Sequence, residues 1–269
     1  MKTVNNIKSL ILFFVVATLL MSCEKEISID LGTVEPQIVI EGNITDAPGP
    51  YYIRISRTVN FSSQNNFPTV SNALVIISDD KGVSDTLTET VPGVYKTRTI
   101  EGVPENTYFL NVSTEGRNYH SSSTMPKRVN LDSLIFNPLI FSSQKDLYYT
   151  VPIYTDPIEP GNYYRFYLFV NGKKDNSYSV FNDNLNNGLV NGRPLFGRDT
   201  EIKSGDTVTV EMHCIDKNIY NYLFALSQLS SGRPGGVTPS NPTTNISGDY
   251  ALGYFSAHTI QQVVGTPPK

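Results

Sequence analysis

Tryptophan is missing from the 269 residues, cysteine occurs twice, histidine three times and methionine four times. Two cysteines exclude a disulfide-stapled scaffold, and three histidines leave little for a histidine-rich metal site. Charge is scarce as well: 21 Lys and Arg stand against 25 Asp and Glu, a charged fraction of 17%, where about 25% is usual. With so few cations the chain cannot neutralise a row of phosphates, so a polyanion-binding protein is excluded and no nucleic-acid partner is expected. Nor does any apolar run reach the roughly 20 residues that a membrane-spanning helix requires. What fills the space is 39% hydrophobic residues, including 16 Tyr and 13 Phe, with abundant Ser, Thr and Asn. That apolar content at a net charge of −4 excludes disorder and supplies a core, and the polar residues are those of an extracytoplasmic β protein.

Lys2 and Lys8 precede an apolar stretch from Leu10 to Met21 that ends on Ser22-Cys23. A basic start followed by about a dozen apolar residues is the pattern of a cleaved signal peptide, residues 1–22. Leu20-Met21-Ser22-Cys23 resembles the lipobox of bacterial lipoproteins, which implies cleavage before Cys23 and acyl chains, palmitate among them, on that residue. The alternative is an ordinary secretory peptide with a chance cysteine. Lys2 and Lys8 leave with the peptide, so 19 basic residues face 25 acidic ones in the mature chain. Several acyl chains anchor a protein stably without a basic patch.

Acylation of Cys23 leaves Cys214 as the remaining thiol, and no internal disulfide can form. Alternation within Thr207–Cys214 places Val208, Val210, Met212 and Cys214 on one strand face, which predicts a buried thiol acting as a small hydrophobe. Residues 23–36 read as a lipidated tether opening on Glu24-Lys25-Glu26. An acidic cluster directly behind the acylated cysteine resembles the surface-export signal of Bacteroidetes lipoproteins, implying the outer membrane with the protein facing the cell exterior. A solvated tether facing the periplasm is the alternative.

From Gln37 onward short alternating stretches are broken by Gly, Pro and Asp turns, the signature of an all-β chain. Gln37–Thr45, Tyr51–Ser56, Ala73–Ser78, Asp85–Glu89, Gly93–Lys96, Thr107–Ser113 and Asn118–Ser121 make seven strands, enough for one β-sandwich over residues 37–126. A segment of that size cannot absorb the rest, so a second β-rich domain is expected over 127–269. Its strands are Leu131–Phe136, Leu147–Tyr154, Tyr163–Val170 and Thr207–Cys214. One helix is predicted over 216–230, with Asp216 as N-cap, no internal Gly or Pro, and Lys217, Asn221 and Gln228 as its wet stripe. The stretch 231–249 reads as a long loop before a last strand at Tyr250–Ile260. Loops of that length are often functional, which makes Arg233, Asn241, Asn245 and Tyr250 the candidate partner-binding residues.

The order of these features is itself informative: a lipid cysteine and acidic start, PQIVIEGNIT, SNALVIISDDKG, GVYK, YFLNVSTEGRNY, TMPKRVNLDSLIF, the YNYLFALSQL helix and NPTTNISGDYALGYFSAH. Together they resemble a Bacteroidetes lipoprotein family of the domain-of-unknown-function 4249 type, over nearly the whole mature chain. Residues 37–125 are also similar to the Ig- or prealbumin-like sandwich of carboxypeptidase regulatory-like domains, through Gly93-Val94-Tyr95 and Pro104 … Tyr108-Phe109-Leu110-Asn111-Val112. The resemblance implies an outer-membrane lipoprotein commonly linked with TonB-dependent transporters. It implies no substrate and carries over no site residues.

Signals for chemistry are sparse. His213 and Cys214 are strand neighbours pointing to opposite faces, so they cannot chelate one ion together, and no metal site is expected. Read as an EF-hand from Asp183, the run Asn182–Gly188 fails where Leu185 and Pro194 stand. No G-x-S-x-G, HExxH or Walker A sequence occurs, so neither a nucleophilic hydrolase nor a cofactor is indicated. Asp79-Asp80 and Asp156 … Glu159 sit in turn contexts where Asp bonds nearby backbone. The doubled tyrosines put rings on both strand faces, so Tyr51 and Tyr163 are candidates for stacking on a ligand, against the plain reading that Tyr favours strands. Asp85-Thr86-Leu87, Asp132-Ser133-Leu134 and Asp206-Thr207-Val208 resemble Bacteroidetes O-glycosylation acceptors, although a turn Asp opening a strand produces the same tripeptide. The expectation is a non-enzymatic accessory or ligand-capture subunit of a TonB-dependent outer-membrane transporter. The alternative is a free-standing surface adhesin that binds glycan or protein.

Overall fold

The computed structural model describes residues 35–60, 66–140, 146–185, 187–230 and 241–269. The expected signal peptide, Cys23, the expected tether up to residue 34, Arg233 and residues 231–240 of the expected loop lie outside the described residues. The alternating stretches of the first half form β1 (Ile38–Thr45), β2 (Tyr52–Arg57), β3 (Leu74–Asp79), β4 (Ser84–Thr86), β5 (Thr88–Val91), β6 (Val94–Lys96), β7 (Thr107–Thr114) and β8 (Arg117–Thr124). The second half adds β9 (Ser133–Pro138), β10 (Leu147–Ile153), β11 (Tyr163–Val170), β12 (Lys173–Lys174), β13 (Ser179–Asn182), β14 (Ile202–Lys203) and β15 (Val208–Ile215). Then come helix α1 (Lys217–Ser230) and strands β16 (Ile246–Gly248) and β17 (Ala251–Gly265). The mainly-β reading with one helix is what the described residues adopt.

α1 begins where its cap dictates: Asp216 Oδ1 accepts the Ile219 amide at 3.0 Å, quieting one of the four unpaired donors of the first turn. Ile219 and Leu223, four residues apart, are its buried stripe, with Leu226 half-buried beyond them. Lys217, Asn221 and Gln228 are exposed as expected, and Phe224, stacked on Tyr220, joins them.

Two sandwiches share one sheet. The longest sheet runs β12-β11-β15-β17-β1-β2-β6-β5, with β13 also on β11. β16-β8-β7-β3-β4 and β14-β10-β9 form the two smaller sheets. Ile40, Ile53 and Tyr95 from the long sheet meet Val75, Leu110 and Tyr119 in the first core. Phe166, Val210 and Cys214 meet Leu134, Phe136 and Ile202 in the second. Cys214 is buried on the same face as Val208, Val210 and Met212.

β17 joins the two halves. Its first part pairs parallel with β1, from Ile38 opposite Ala251 to Thr45 opposite His258. Its last part pairs antiparallel with β15, from Cys214 opposite Thr259 to Val208 opposite Gly265. Among the described residues each part therefore has a strand on one edge only, and side chains bond the other. Asn245 bonds both backbone groups of Phe255, at 3.0 and 2.7 Å, and Ser123 Oγ accepts the Ala257 amide at 2.8 Å. On the far side Asp46 Oδ1 accepts the Ile260 amide at 2.9 Å. Such pairing answers the demand that buried backbone groups be bonded. Parallel approach to β1 also requires a glycine: Gly253 has φ +97°, and a Cβ there would stand 2.0 Å from the Ile40 carbonyl oxygen.

This arrangement revises the expected division into 37–126 and 127–269. The two cores do separate near that point, yet Ile246, Ala251, Phe255 and Ala257 return to the first one, and residues 35–269 form one compact unit. A last strand of 15 residues, rather than one ending at Ile260, is long enough to serve both. The loop reading of 231–249 is corrected in part too, because 246–248 is an edge strand paired with β8.

Candidate functional site

β17 alternates without a break, so Tyr254, Ser256, His258, Ile260 and Gln262 share the face turned away from both cores. Register brings Glu41 and Asn43 of β1, Glu211 and His213 of β15, and Arg165 and Tyr167 of β11 onto that face. α1 packs across part of it, where Tyr163, Ile215 and Tyr254 surround Ile219 and Leu223.

At the middle of this face two buried imidazoles, His213 and His258, stack with ring centroids 4.4 Å apart and planes 17° off parallel. His213 Nε2 lies 2.6 Å from Glu211 Oε1, and Gln262 Nε2 donates to Glu211 Oε2 at 2.6 Å. Burial alone would raise the Glu211 carboxyl, but the hydrogen bonds from His213 and Gln262 prevail and hold it below the usual range. An ionised Glu211 places the His213 proton on Nε2 and leaves Nδ1 as a buried acceptor with no partner among the described residues. His258 Nδ1 is 2.9 Å from Ser256 Oγ. Burial pushes both histidines below the ordinary imidazole value, His258 far below, and the nearby Arg165 adds to the effect.

Beside the histidines Tyr167 is held by cations: the Arg165 guanidinium carbon is 4.3 Å and the Lys174 Nζ 3.7 Å from its ring centroid. Burial pushes the Tyr167 hydroxyl up to about 12. A hollow of about 440 Å³ opens here, lined by Arg165, Tyr167, Lys174, Tyr178, Arg198 and Asp199 among others. Its floor is fixed by Asp175, whose buried carboxylate accepts the amides of Arg198, Asp199 and Thr200 at 2.8–2.9 Å. Burial opposes ionisation, but those bonds hold the carboxyl far below its normal range. A second hollow of about 390 Å³ lies over β1 and β2, lined by Glu41, Asn43, Tyr52, Arg54 and Tyr254. Tyr254 and Tyr222 of α1, with centroids 5.1 Å apart, stand on the same face.

A different surface gathers aliphatic side chains. The segments 154–158 and 188–191 are laced by bonds from Asp156 N to Leu189 O, Gly188 N to Pro157 O and Asn191 N to Tyr154 O, at 2.8–3.0 Å. Ile158, Leu185, Leu189 and Val190, in these segments and the loop leading to them, are 59–83% exposed. Asp183 ties down the base by accepting the amides of Gly161 and Asn162 at 2.6 and 2.8 Å.

The structure disperses the residues singled out from sequence. Tyr51 borders the second hollow, but it is corrected from a stacking candidate to a core residue: it is 7% exposed, and its hydroxyl donates to the Ala47 carbonyl and accepts the Gly102 amide. Its neighbour Tyr52 carries the exposed ring, because alternation turns one of each doubled pair inward. Tyr163 is likewise engaged, its ring tilted against Tyr220 with centroids 4.9 Å apart beneath α1. Asn245 is corrected from partner binding to structure, since both ends of its amide close the β17 edge. Asn241 and Tyr250 are exposed, Tyr250 at 62%.

Turn chemistry accounts for Asp79, whose Oδ1 accepts the Lys81 and Val83 amides at 3.0 and 2.8 Å. Asp156 is buried and bonded by the Tyr164 hydroxyl, and Asp85 accepts the amides of Arg98, Thr99 and Ile100. Thr86, Ser133 and Thr207 of the acceptor-like tripeptides are exposed. Among the described residues no three of His, Cys, Asp and Glu converge as metal ligands. Sequence reasoning missed the Glu211–His213–His258 group and the Arg165–Tyr167–Lys174 cluster. The even spacings, two in Glu211 … His213 and four in Tyr254 … His258, hint at shared faces, but nothing local shows that these strands are neighbours.

A family model described as Domain of unknown function (DUF4249) matches residues 24–263 of the chain. No curated protein matches it.

Proposed function

The chain belongs to the DUF4249 family, and on that premise we propose that it is a non-enzymatic, ligand-capturing lipoprotein that docks on a TonB-dependent outer-membrane transporter. In this reading Cys23 carries the acyl chains, the protein faces the cell exterior, and no cofactor takes part. The lipobox-like Leu20–Cys23 and the acidic start behind it support the anchor and its orientation.

The observation that carries the docking half is the aliphatic tip formed by Ile158, Leu185, Leu189 and Val190. Exposed aliphatic side chains on adjoining backbone segments mark a surface suited to contact with a partner. Here the two segments are held by backbone bonds and by Asp183, so the tip is presented rigidly, as an interface core requires. The alternative, a free-standing adhesin, is favoured by a different observation, the tyrosine-bearing outer face with its two hollows.

Affinity purification of the full-length lipoprotein from gently solubilised outer membranes separates the two. The expected result is a stoichiometric barrel protein with the native chain and its loss from an Ile158→Glu, Leu189→Glu double variant that melts at an unchanged temperature. A native chain recovered alone overturns the transporter reading in favour of the adhesin, and a double variant that retains the barrel overturns the assignment of the tip.

A further inference from the structure

We propose that the hollow over β11 binds the anionic group of an acidic sugar, a ring bearing a carboxylate or a phosphate, with Arg165 and Lys174 taking the charge and Tyr178 stacking on the ring. This deepens the capture reading above and depends on it only in supposing that the chain binds a ligand; it holds with or without a barrel partner.

The first argument is that the cations lining the hollow outnumber its carboxylates and are not ion-paired. Arg165, Lys174 and Arg198 line it together with Asp175 and Asp199. Asp175 is committed to structure, accepting five hydrogen bonds from the 198–200 turn and Ser177, and Asp199 accepts the Asn176 side-chain amide on one oxygen at 2.7 Å. Glu211, the remaining acid near Lys174, is bonded by His213 and Gln262 and attracts Lys174 only at longer range. Among the described residues, Arg165, Lys174 and Arg198 form no ion pair within 4 Å. Burial and the neighbouring Arg165 push the Lys174 ammonium below its usual value, so an incoming anion relieves a real repulsion.

The second argument is preorganisation. Arg165 and Lys174 both rest on the Tyr167 ring, which is itself buried among Glu211 and His213. Two long cationic side chains are thus fixed before any ligand arrives, which lowers the entropy lost on binding. The third is the aromatic lining. Tyr178 is 44% exposed at the hollow, and Tyr222 and Tyr254 continue the surface toward the second hollow with its Asn43, Tyr52 and Arg54. Flat rings beside unspent hydrogen-bonding groups suit the apolar face and hydroxyl rim of a sugar. At about 440 Å³ the hollow falls within the range of small-molecule sites.

The test is calorimetric titration of the full-length lipoprotein in detergent with three probes: a trigalacturonate, glucose 6-phosphate and neutral maltotriose. One of the anionic probes should bind at about 1 mM or tighter and weaken as salt is raised, with the neutral sugar at least about tenfold weaker. Lys174→Gln and Arg165→Gln should each reduce the affinity about tenfold, and Tyr178→Ala should weaken it further, with thermal midpoints unchanged. Binding by the uronate alone identifies a carboxylate ligand, and binding by the phosphate alone a phosphorylated one. No binding by either anion, equal binding by maltotriose, or affinity untouched in the folded Lys174→Gln variant overturns the proposal. None of these outcomes bears on barrel association, which purification reports separately.

Discussion

Acidification should unfold this protein earlier than its carboxylates alone dictate, because two buried histidines must remain neutral. His213 and His258 are stacked 4.4 Å apart and both titrate below the ordinary imidazole value of about 6.5. Burial dominates in both; at His213 it outweighs the opposing pull of Glu211, and at His258 the neighbouring His213 and Arg165 add to it. In the unfolded chain both histidines take protons as pH falls through that ordinary value; in the folded chain they do not. Below about 6.5 the unfolded state therefore binds more protons, and stability declines with a slope that approaches about 1.4 kcal/mol per pH unit for each histidine, until the folded value is reached. From pH 6.5 to 5.5, where the unfolded imidazole is still filling with protons, the loss is about 1 kcal/mol from His258 and up to about 2 kcal/mol from the pair, or roughly 2–8 °C in midpoint for a chain of this size. Asp156 and Asp216, raised by burial, bind protons in the folded state and oppose this trend. The decisive quantity is accordingly the difference between the native chain and a His213→Gln, His258→Gln variant, in which glutamine keeps a donor for Glu211. Urea denaturation at pH 7.0, 6.5, 6.0 and 5.5 measures it. Equal slopes for the two proteins across pH 5.5–6.5 would refute the reasoning.

Two further outcomes follow from β17. Gly253→Ala should cost at least about 3 kcal/mol in chemical denaturation, since strain at φ +97° adds to a Cβ placed against the Ile40 carbonyl; Gly82→Ala, with φ +91° and nothing within 4 Å, should lose only the backbone part, about 1–2 kcal/mol. A Gly253 variant no worse than the Gly82 variant counts against the close approach. A fragment of residues 35–126 should show no cooperative thermal transition, because it lacks Ile246, Phe255 and Ala257 of its core and the strand on the free edge of β1; a cooperative melt would restore the simple two-domain division.

What the chain discloses locally and what it hides divide along the range of the interactions. Period-two alternation exposes β1, β2, β7, β11 and β15 because each strand buries one face whatever its partners are. Asp216 marks the start of α1 because a cap acts within three residues. The same short range explains the burial of Cys214, which follows from its place beside Val208, Val210 and Met212. β12, β14 and β16 are too short, at two or three residues, to show a period. Asn245 illustrates a subtler failure. In a stretch rich in Gly, Pro, Asn and Thr it reads as a loop residue, and its amide instead substitutes for a missing strand along Phe255, a role set by the backbone ten residues further on.

The candidate site is the extreme case. Its cations come from β11 and β12, its acid and one histidine from β15, its other histidine and a tyrosine from β17, and its far wall from β1 and α1. A single register decides whether these meet: with His213 opposite Ile260 and Glu211 opposite Gln262, Glu211 reaches Gln262 and His213 lies over His258. Slipping β17 by one residue would turn Phe255, Ala257 and Val263 outward and every site residue of that strand inward. The register is thus enforced by the apolar half of β17, which serves both cores, while the polar half carries the chemistry. Any ligand that spans the hollow over β11 and the tyrosines of α1 and β17 would hold together elements that only the folded chain brings side by side, and so would bind the native state alone and stabilise it in proportion to its affinity.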